Sequence, residues 1–293
     1  MGLSPEGGLV GNLEYAQKNI FGTAQDISLT YSQGLGGAAT ATWNLGYTAH
    51  AFPVYDRVEV NLYRRQEAQQ EEASKVTWGG EVGLSYPLAH YLDLEVGLSH
   101  EQSQLLPEGE WLPPRTALTL GLSFNSRDDP FFPRSGRSWQ LSGEKAGTFA
   151  PGVEYFSLTG EVANFTPVDL FTPVGHLRAT FAQRLLLKWG WGLSEDYLFE
   201  LGGATTVRGA SSQLTSKMGL LNSELRLELT QGAYVAGFWD LGVDLERGEL
   251  KSSLGLEIAV YLGGMFVRLD LAWPSDRPWN WVPAFEFEMS PMF

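Results

Sequence analysis

Apolar side chains recur at every second position along almost the whole chain. In Thr116 to Asn125, Leu118, Leu120, Leu122 and Phe124 alternate with Thr119, Gly121, Ser123 and Asn125. In Lys251 to Leu262, Leu254, Leu256, Ile258, Val260 and Leu262 stand against Ser253, Gly255 and Glu257. Period two places a greasy row and a polar row on opposite faces of a β-strand. About fifteen such strands are predicted, over 8–18, 23–33, 37–49, 54–67, 74–86, 90–103, 115–126, 136–148, 152–165, 175–189, 217–230, 232–245, 250–262, 265–274 and 282–293. No segment shows the 3.6-residue period of an amphipathic helix. At ~3.3 Å per residue each strand is long enough to cross a bilayer at a tilt, whereas soluble sandwiches manage with about five or six residues.

The connections alternate in length. Gln231 and Gly263-Gly264 mark tight turns, while 190–216 and 274–281 are longer. Short turns on one rim and long loops on the other fit an outer-membrane barrel. The predicted fold is therefore all-β, a transmembrane antiparallel β-barrel forming a single domain over residues 1–293.

Composition agrees with this reading. Aromatics are 13% of residues and Gly numbers 34, yet mean hydropathy is −0.13, as suits a wall that is apolar outside and polar inside. Trp78, Tyr86, Trp189, Trp191, Trp273, Trp279 and Trp281 fall near strand ends, where interfacial girdles are expected. No run reaches the ~18 apolar residues of a membrane helix. With no Cys, disulfides and thiolate metal sites are excluded. A formal charge of −14 argues against a nucleic-acid partner, since phosphate binding needs a basic surface. The start, MGLSPEGG, has no basic region followed by an apolar stretch, so no signal peptide is expected within this sequence.

Three motifs carry a resemblance. Phe199-Glu200-Leu201-Gly202-Gly203 with Val207-Arg208-Gly209 lies in the longest stretch without strand pattern. Arg127-Asp128-Asp129-Pro130-Phe131-Phe132-Pro133 with Ser135-Gly136 follows a strand. The final segment puts Phe285, Phe287, Met289 and Phe293 on one face, with Glu286, Glu288 and Ser290 on the other. In this order the motifs resemble the Omp85 superfamily, with the BamA type closest: a sixth extracellular loop with its VRG tip, a periplasmic turn, and an aromatic C-terminal assembly signal. One departure is Ala210, where the family usually carries an aromatic residue, and it is expected to weaken the anchoring of the loop tip.

The resemblance implies that the loop folds back into the barrel and that Arg208 pairs with Glu224 and Asp240. Parity checks both partners independently. Leu225, Leu227 and Leu229 are apolar, so Glu224 faces the lumen; Val235, Trp239, Leu241 and Val243 are apolar, so Asp240 does too. A buried guanidinium needs such pairing, and its planar fork suits two carboxylates.

Fifteen strands is an odd number where sixteen is expected for the family. Aligned on the loop, five strands follow it and ten precede it, so the first strand is read as missing, with Gly2 to Gly8 only its end and a hairpin. The POTRA repeats of typical members are likewise absent from this sequence. A trimmed form or fragment is the expectation, with a native but atypical short member as the alternative.

What the resemblance implies about activity is ATP-independent insertion and folding of outer-membrane proteins. Client strands would be templated at a lateral seam between the first and last strands, with the C-terminus periplasmic. The implied partners are the outer-membrane bilayer, unfolded outer-membrane clients and, through POTRA repeats, accessory assembly lipoproteins. Alternatives are a protein translocation pore of the two-partner-secretion or TamA-like kind and, from another class, a passive porin. No cofactor, metal or catalytic residue is expected. His50, His90, His100 and His176 have no serine and acid at a defensible spacing. The acidic run Glu67, Glu71 and Glu72 reads as solvated. Gly202-Gly203 is not a phosphate loop, because no Lys-Ser/Thr follows.

Overall fold

The computed structural model describes residues 2–4, 8–34, 41–50, 57–70, 73–130, 132–172, 175–230, 232–262, 265–277 and 282–291. They form two units. The first holds residues 1–122 and 142–156, the second 123–141 and 157–293.

In the first unit, strands Gly8–Gln17, Gln25–Gly34, Ala41–His50, Arg57–Gln70, Ala73–Ala89 and Leu92–Leu106 pair antiparallel, each with its neighbour in sequence. On one face of this unit Arg115 gathers partners. It donates to Glu144 at 2.6 Å, to the Tyr155 hydroxyl at 2.6 Å and to Ser99 Oγ at 3.1 Å. A charge inside the unit thus receives the partners that its burial demands.

In the second unit, Gly175–Trp191, Lys217–Thr230, Ala233–Asp244, Glu249–Leu262, Met265–Pro274 and Ala284–Pro291 pair in the same nearest-neighbour antiparallel way. Ala233–Asp244 shows how the sequence sets the faces. Tyr234, Ala236, Phe238, Asp240, Gly242 and Asp244 are buried, while Trp239 between them is 42% exposed. The exposed rows of this unit are apolar, with Leu185, Leu187, Leu254, Leu256 and Ile258 all outward. The buried rows carry Glu224, Asp240, Lys251, Glu257 and Asp270. A soluble sheet does the reverse, and a contiguous apolar exterior of this kind suits lipid.

All fifteen expected strands are present, most with ends moved by a few residues. The remnant of a first strand read at Gly2 to Gly8 is present, as Gly2–Ser4 pairs antiparallel with Gly8–Gln17, from Gly2 opposite Val10 to Ser4 opposite Gly8. One difference changes the picture. The 190–216 stretch, read as irregular, contains a small hairpin in which Phe199–Leu201 pairs with Gln213–Thr215. Its sides are three residues long, too short for a period-two signal to show. The tight turns at Gln231 and Gly263-Gly264 lie outside the described residues, as do Glu71, Glu72, Trp279 and Trp281. No helix is long and apolar enough to cross a membrane among the described residues.

Candidate functional site

The 202–211 segment is a compact tip above that small hairpin. Thr206 stitches it, its hydroxyl donating to the Gly202 carbonyl at 2.9 Å while accepting the Gly202 N–H at 2.8 Å. Gly203 N–H reaches the Ala210 carbonyl at 3.1 Å, and Ala210 N–H reaches that of Val207 at 3.2 Å. Leu201, Val207 and Ala210 then pack with Leu186, Met218 and Leu220 into one buried apolar cluster. Ala210, where the family's aromatic residue would stand, is 5% exposed within this cluster.

This packing aims Arg208 at the polar faces of three consecutive strands. Its Nε donates to Asp240 Oδ2 at 2.8 Å and its Nη2 to Oδ1 at 2.7 Å. Nη1 meets Glu257 Oε2 at 2.6 Å and Glu224 Oε1 at 3.0 Å. The Arg208 backbone N–H adds a bond to Asp240 at 3.1 Å, and its guanidinium lies 3.6 Å from the Phe238 ring centroid. Arg208 is 2% exposed and Asp240 fully buried, so neither charge has water to fall back on. Burial at that depth is tolerated only when the charges are matched and hydrogen-bonded.

The carboxylates have further partners of their own. Asn222 Nδ2 donates to Asp240 Oδ1 at 2.7 Å and to the Thr206 carbonyl at 2.9 Å. The Tyr234 hydroxyl donates to Glu257 Oε1 at 2.7 Å, and Arg226 holds Glu224 Oε2 at 2.8 Å. The next residue of the tip comes close to the last strand, where a Cβ on Gly209 would lie 3.0 Å from Ala284 Cβ. Gly209 has φ +76°, and a Cβ there would sit 2.7 Å from Ala272 Cβ, so only glycine reaches this position without displacement.

The expected trio of Arg208, Glu224 and Asp240 is thus brought together. Glu257 joins it and was not assigned, although its place in the polar row of Lys251 to Leu262 carried the signal. Phe238, Asn222 and Tyr234 were also missed. At the loop's other end, Asp276 Oδ2 accepts the Ser211 N–H at 2.8 Å and the Ser211 hydroxyl at 2.5 Å, with Lys251 at 3.9 Å. Partial burial pulls the Asp276 carboxyl upward, but these bonds and the lysine hold it below its ordinary value.

The Arg127–Gly136 turn is built on Asp128. Its Oδ1 accepts the N–H groups of Asp129, Arg134 and Ser135 at 3.1, 2.9 and 3.1 Å. Burial opposes ionisation, yet these donors keep the carboxyl below its usual range. Asp129 accepts from Phe132 N–H at 2.8 Å, Arg127 donates to Asn125 Oδ1, and Arg134 pairs with Glu228. Pro130 lies at the bend between them, and Phe131 is outside the described residues. Phe132 packs edge-on against Tyr234, 5.8 Å between centroids. In the last strand Phe285 stands opposite Leu271 and Phe287 opposite Leu269, with Met289 in backbone register with Val267. Phe293 lies outside the described residues.

Of the residues set aside in the sequence, His50 lies 3.7 Å from Asp26 and His100 bonds Thr116. Among the described residues no cluster of His, Asp and Glu is arranged to hold a metal ion.

A family model described as the Omp85 superfamily domain matches residues 19–293. Among solved structures, the chain is similar to BamA from Haemophilus ducreyi lacking POTRA domains 1-3, with TM-score 0.75 and 14% identity over 96% of this chain and 66% of that one. It is also similar to CdiB from Acinetobacter baumannii, TM-score 0.73, 15% identity, covering 97% and 57%. CdiB from Escherichia coli gives TM-score 0.74 at 14% identity, covering 98% and 60%. The chain spans less than two thirds of the length of each. At such identities these likenesses show the fold, an antiparallel transmembrane β-barrel, and nothing finer.

Proposed function

Since the chain belongs to the Omp85 superfamily, we propose that it is the barrel of a BamA-type assembly factor of the bacterial outer membrane, which inserts and folds client proteins without ATP. The observation that carries this reading is the bracing of the C-terminal strands by one loop. Arg208 bonds to carboxylates on Lys217–Thr230, Ala233–Asp244 and Glu249–Leu262, and Gly209 lies so close to Ala284–Pro291 that a Cβ on it would be 3.0 Å from Ala284 Cβ. A last strand packed from inside by the loop tip, and paired on one edge with Met265–Pro274, would keep its position if its other edge opened. Opened, that edge would be a template for a client strand. Pairing there spares the client's backbone groups exposure to lipid, where each unmet group costs several kcal/mol. In this reading the C-terminus is periplasmic, unfolded outer-membrane proteins are the clients, and POTRA repeats would recruit accessory lipoproteins.

Reconstitution tests it. Vesicles carrying the protein should accelerate folding of a urea-unfolded outer-membrane protein. Because the chain lacks Cys, Phe285→Cys should also cross-link to a single Cys in the client's terminal strand during folding. Unchanged folding and no cross-link would overturn the proposal.

A second reading is a two-partner-secretion pore, favoured by likeness to CdiB that matches the likeness to BamA in TM-score. Delivery of a partner into protease-protected vesicle lumen, without insertion of clients, would select it. A loop tip packed and ion-paired on the polar face argues against a passive porin, and a steady large conductance would reverse that argument.

A further inference from the structure

Beside the Arg208 cluster, and wholly inside the second unit, lies a cavity of about 370 Å³. Five arginines line it, Arg127, Arg184, Arg208, Arg226 and Arg268, against only two carboxylates, Glu161 and Glu224. This concentration of positive charge occurs in a chain whose formal charge is −14. Arg208 is committed to its three carboxylates, and Arg268 donates to the Ala204 carbonyl at 3.0 Å while lying 3.5 Å from Asp270.

The other three arginines are each held along one edge. Arg184 gives Nη2 to Glu161 at 2.9 Å and Nη1 to the Thr205 carbonyl at 3.1 Å. Arg226 gives Nε and Nη2 to Glu224 and is stacked 5.5 Å from the Phe165 centroid and 5.0 Å from that of Tyr234. Arg127 gives Nε to Asn125 at 3.0 Å. Guanidiniums fixed on one edge keep their remaining N–H groups in place for a ligand.

We propose that this chamber binds a phosphate group. Fixed guanidinium forks pair with the oxygens of a doubly charged oxyanion through charge-assisted bonds, and a dense anion exploits clustered cations better than a single carboxylate does. Three arginines converge from three places in the sequence: a turn (Arg127), a strand ahead of the loop (Arg184) and a strand behind it (Arg226). The loop itself contributes Ala204 and Thr205 to the wall. Occupancy therefore bears on how firmly the loop tip is seated.

The test uses the whole chain in a zwitterionic detergent, with inorganic diphosphate as the probe in isothermal titration calorimetry. Saturable one-to-one binding is expected. Arg184→Gln and Arg127→Gln should each weaken it by about tenfold, the loss of one charge-assisted contact, while Arg65→Gln should leave it unchanged. Vesicles containing phosphatidic acid then separate the sources. Competition with diphosphate beyond that given by phosphatidylcholine vesicles assigns a lipid headgroup, and its absence assigns a soluble phosphate. No saturation, equal binding by the Arg184→Gln variant, or stronger competition by an oligo-glutamate peptide would overturn the proposal. Far-UV circular dichroism matching the parent keeps a folding defect from passing as a binding defect.

Discussion

Arg208 and Asp240 meet in a two-pronged bond, Nε to Oδ2 at 2.8 Å and Nη2 to Oδ1 at 2.7 Å, with both side chains out of water. The geometry is that of a planar fork on a carboxylate, which an ammonium cannot reproduce. Arg208→Lys is therefore expected to behave nearly as badly as Arg208→Ala. Asp240→Ala should destabilise the protein by about 3–5 kcal/mol, because it leaves a buried guanidinium short of charge. Urea unfolding in detergent, with limited proteolysis within 199–216, reads both effects. An Arg208→Lys variant with parental stability and protease resistance would refute the paired-fork account.

Glu257 and Glu224 share Arg208 Nη1 unequally. Glu257 is the nearer, at 2.6 Å against 3.0 Å, and is almost fully buried, whereas Glu224 also leans on Arg226. Glu257→Gln should cost more than Glu224→Gln. In double-mutant cycles with Arg208→Ala, the coupling energy should be larger for Glu257. The reverse order would place the main anchor on the Lys217–Thr230 strand.

The strands and their faces were legible because lipid on one side and a polar interior on the other enforce strict alternation. The resemblance named Glu224 and Asp240, and parity put both on the polar face, where they lie. The same row marked Glu257, but parity says which face a side chain occupies, not which of several acids on that face an incoming loop will touch. That depends on how deep the tip sits, where Val207 and Leu201 pack with Met218 and Leu220. Long-range contacts of this sort leave no local pattern. For the same reason the Asp276 to Ser211 clasp, 65 residues apart, was invisible in the sequence.

Asp128 organises its turn as a charged acceptor. Its carboxyl is held below the ordinary value by the N–H groups of Ser135, Arg134 and Asp129, against the opposing effect of burial. A depressed carboxyl contributes stability that is fully present above its unfolded value, about 3.9, and is lost as pH falls through the folded value. Asp128→Asn should therefore be less stable than the parent at pH 6, with the gap closing as pH approaches 2. Urea midpoints of both proteins across that range check it. A gap that persists undiminished at the acid end would mean that the carboxylate charge is not its source.

Gly242 is where the wall admits the loop. It lies on the buried face of Ala233–Asp244, and a Cβ added there would meet Val207 Cγ2 at 2.6 Å and Leu201 Cδ1 at 2.7 Å. Under 3.0 Å something must shift, and here it is the side-chain ends of two residues inside the buried cluster. Overpacking of this kind costs about 1–3 kcal/mol. Gly242→Ala should therefore loosen the VRG segment while the strand itself stays paired. Gly237 lies on the same strand with nothing within 4 Å of its would-be Cβ, so Gly237→Ala is the matched control for substitution in that strand. Hydrogen exchange should show faster exchange over residues 202–211 in Gly242→Ala alone, with protection of Lys217–Thr230 kept in both variants. Equal exchange of the loop in the two would mean that Val207 and Leu201 yield freely, and that Arg208, not the apolar cluster, sets the depth of the tip.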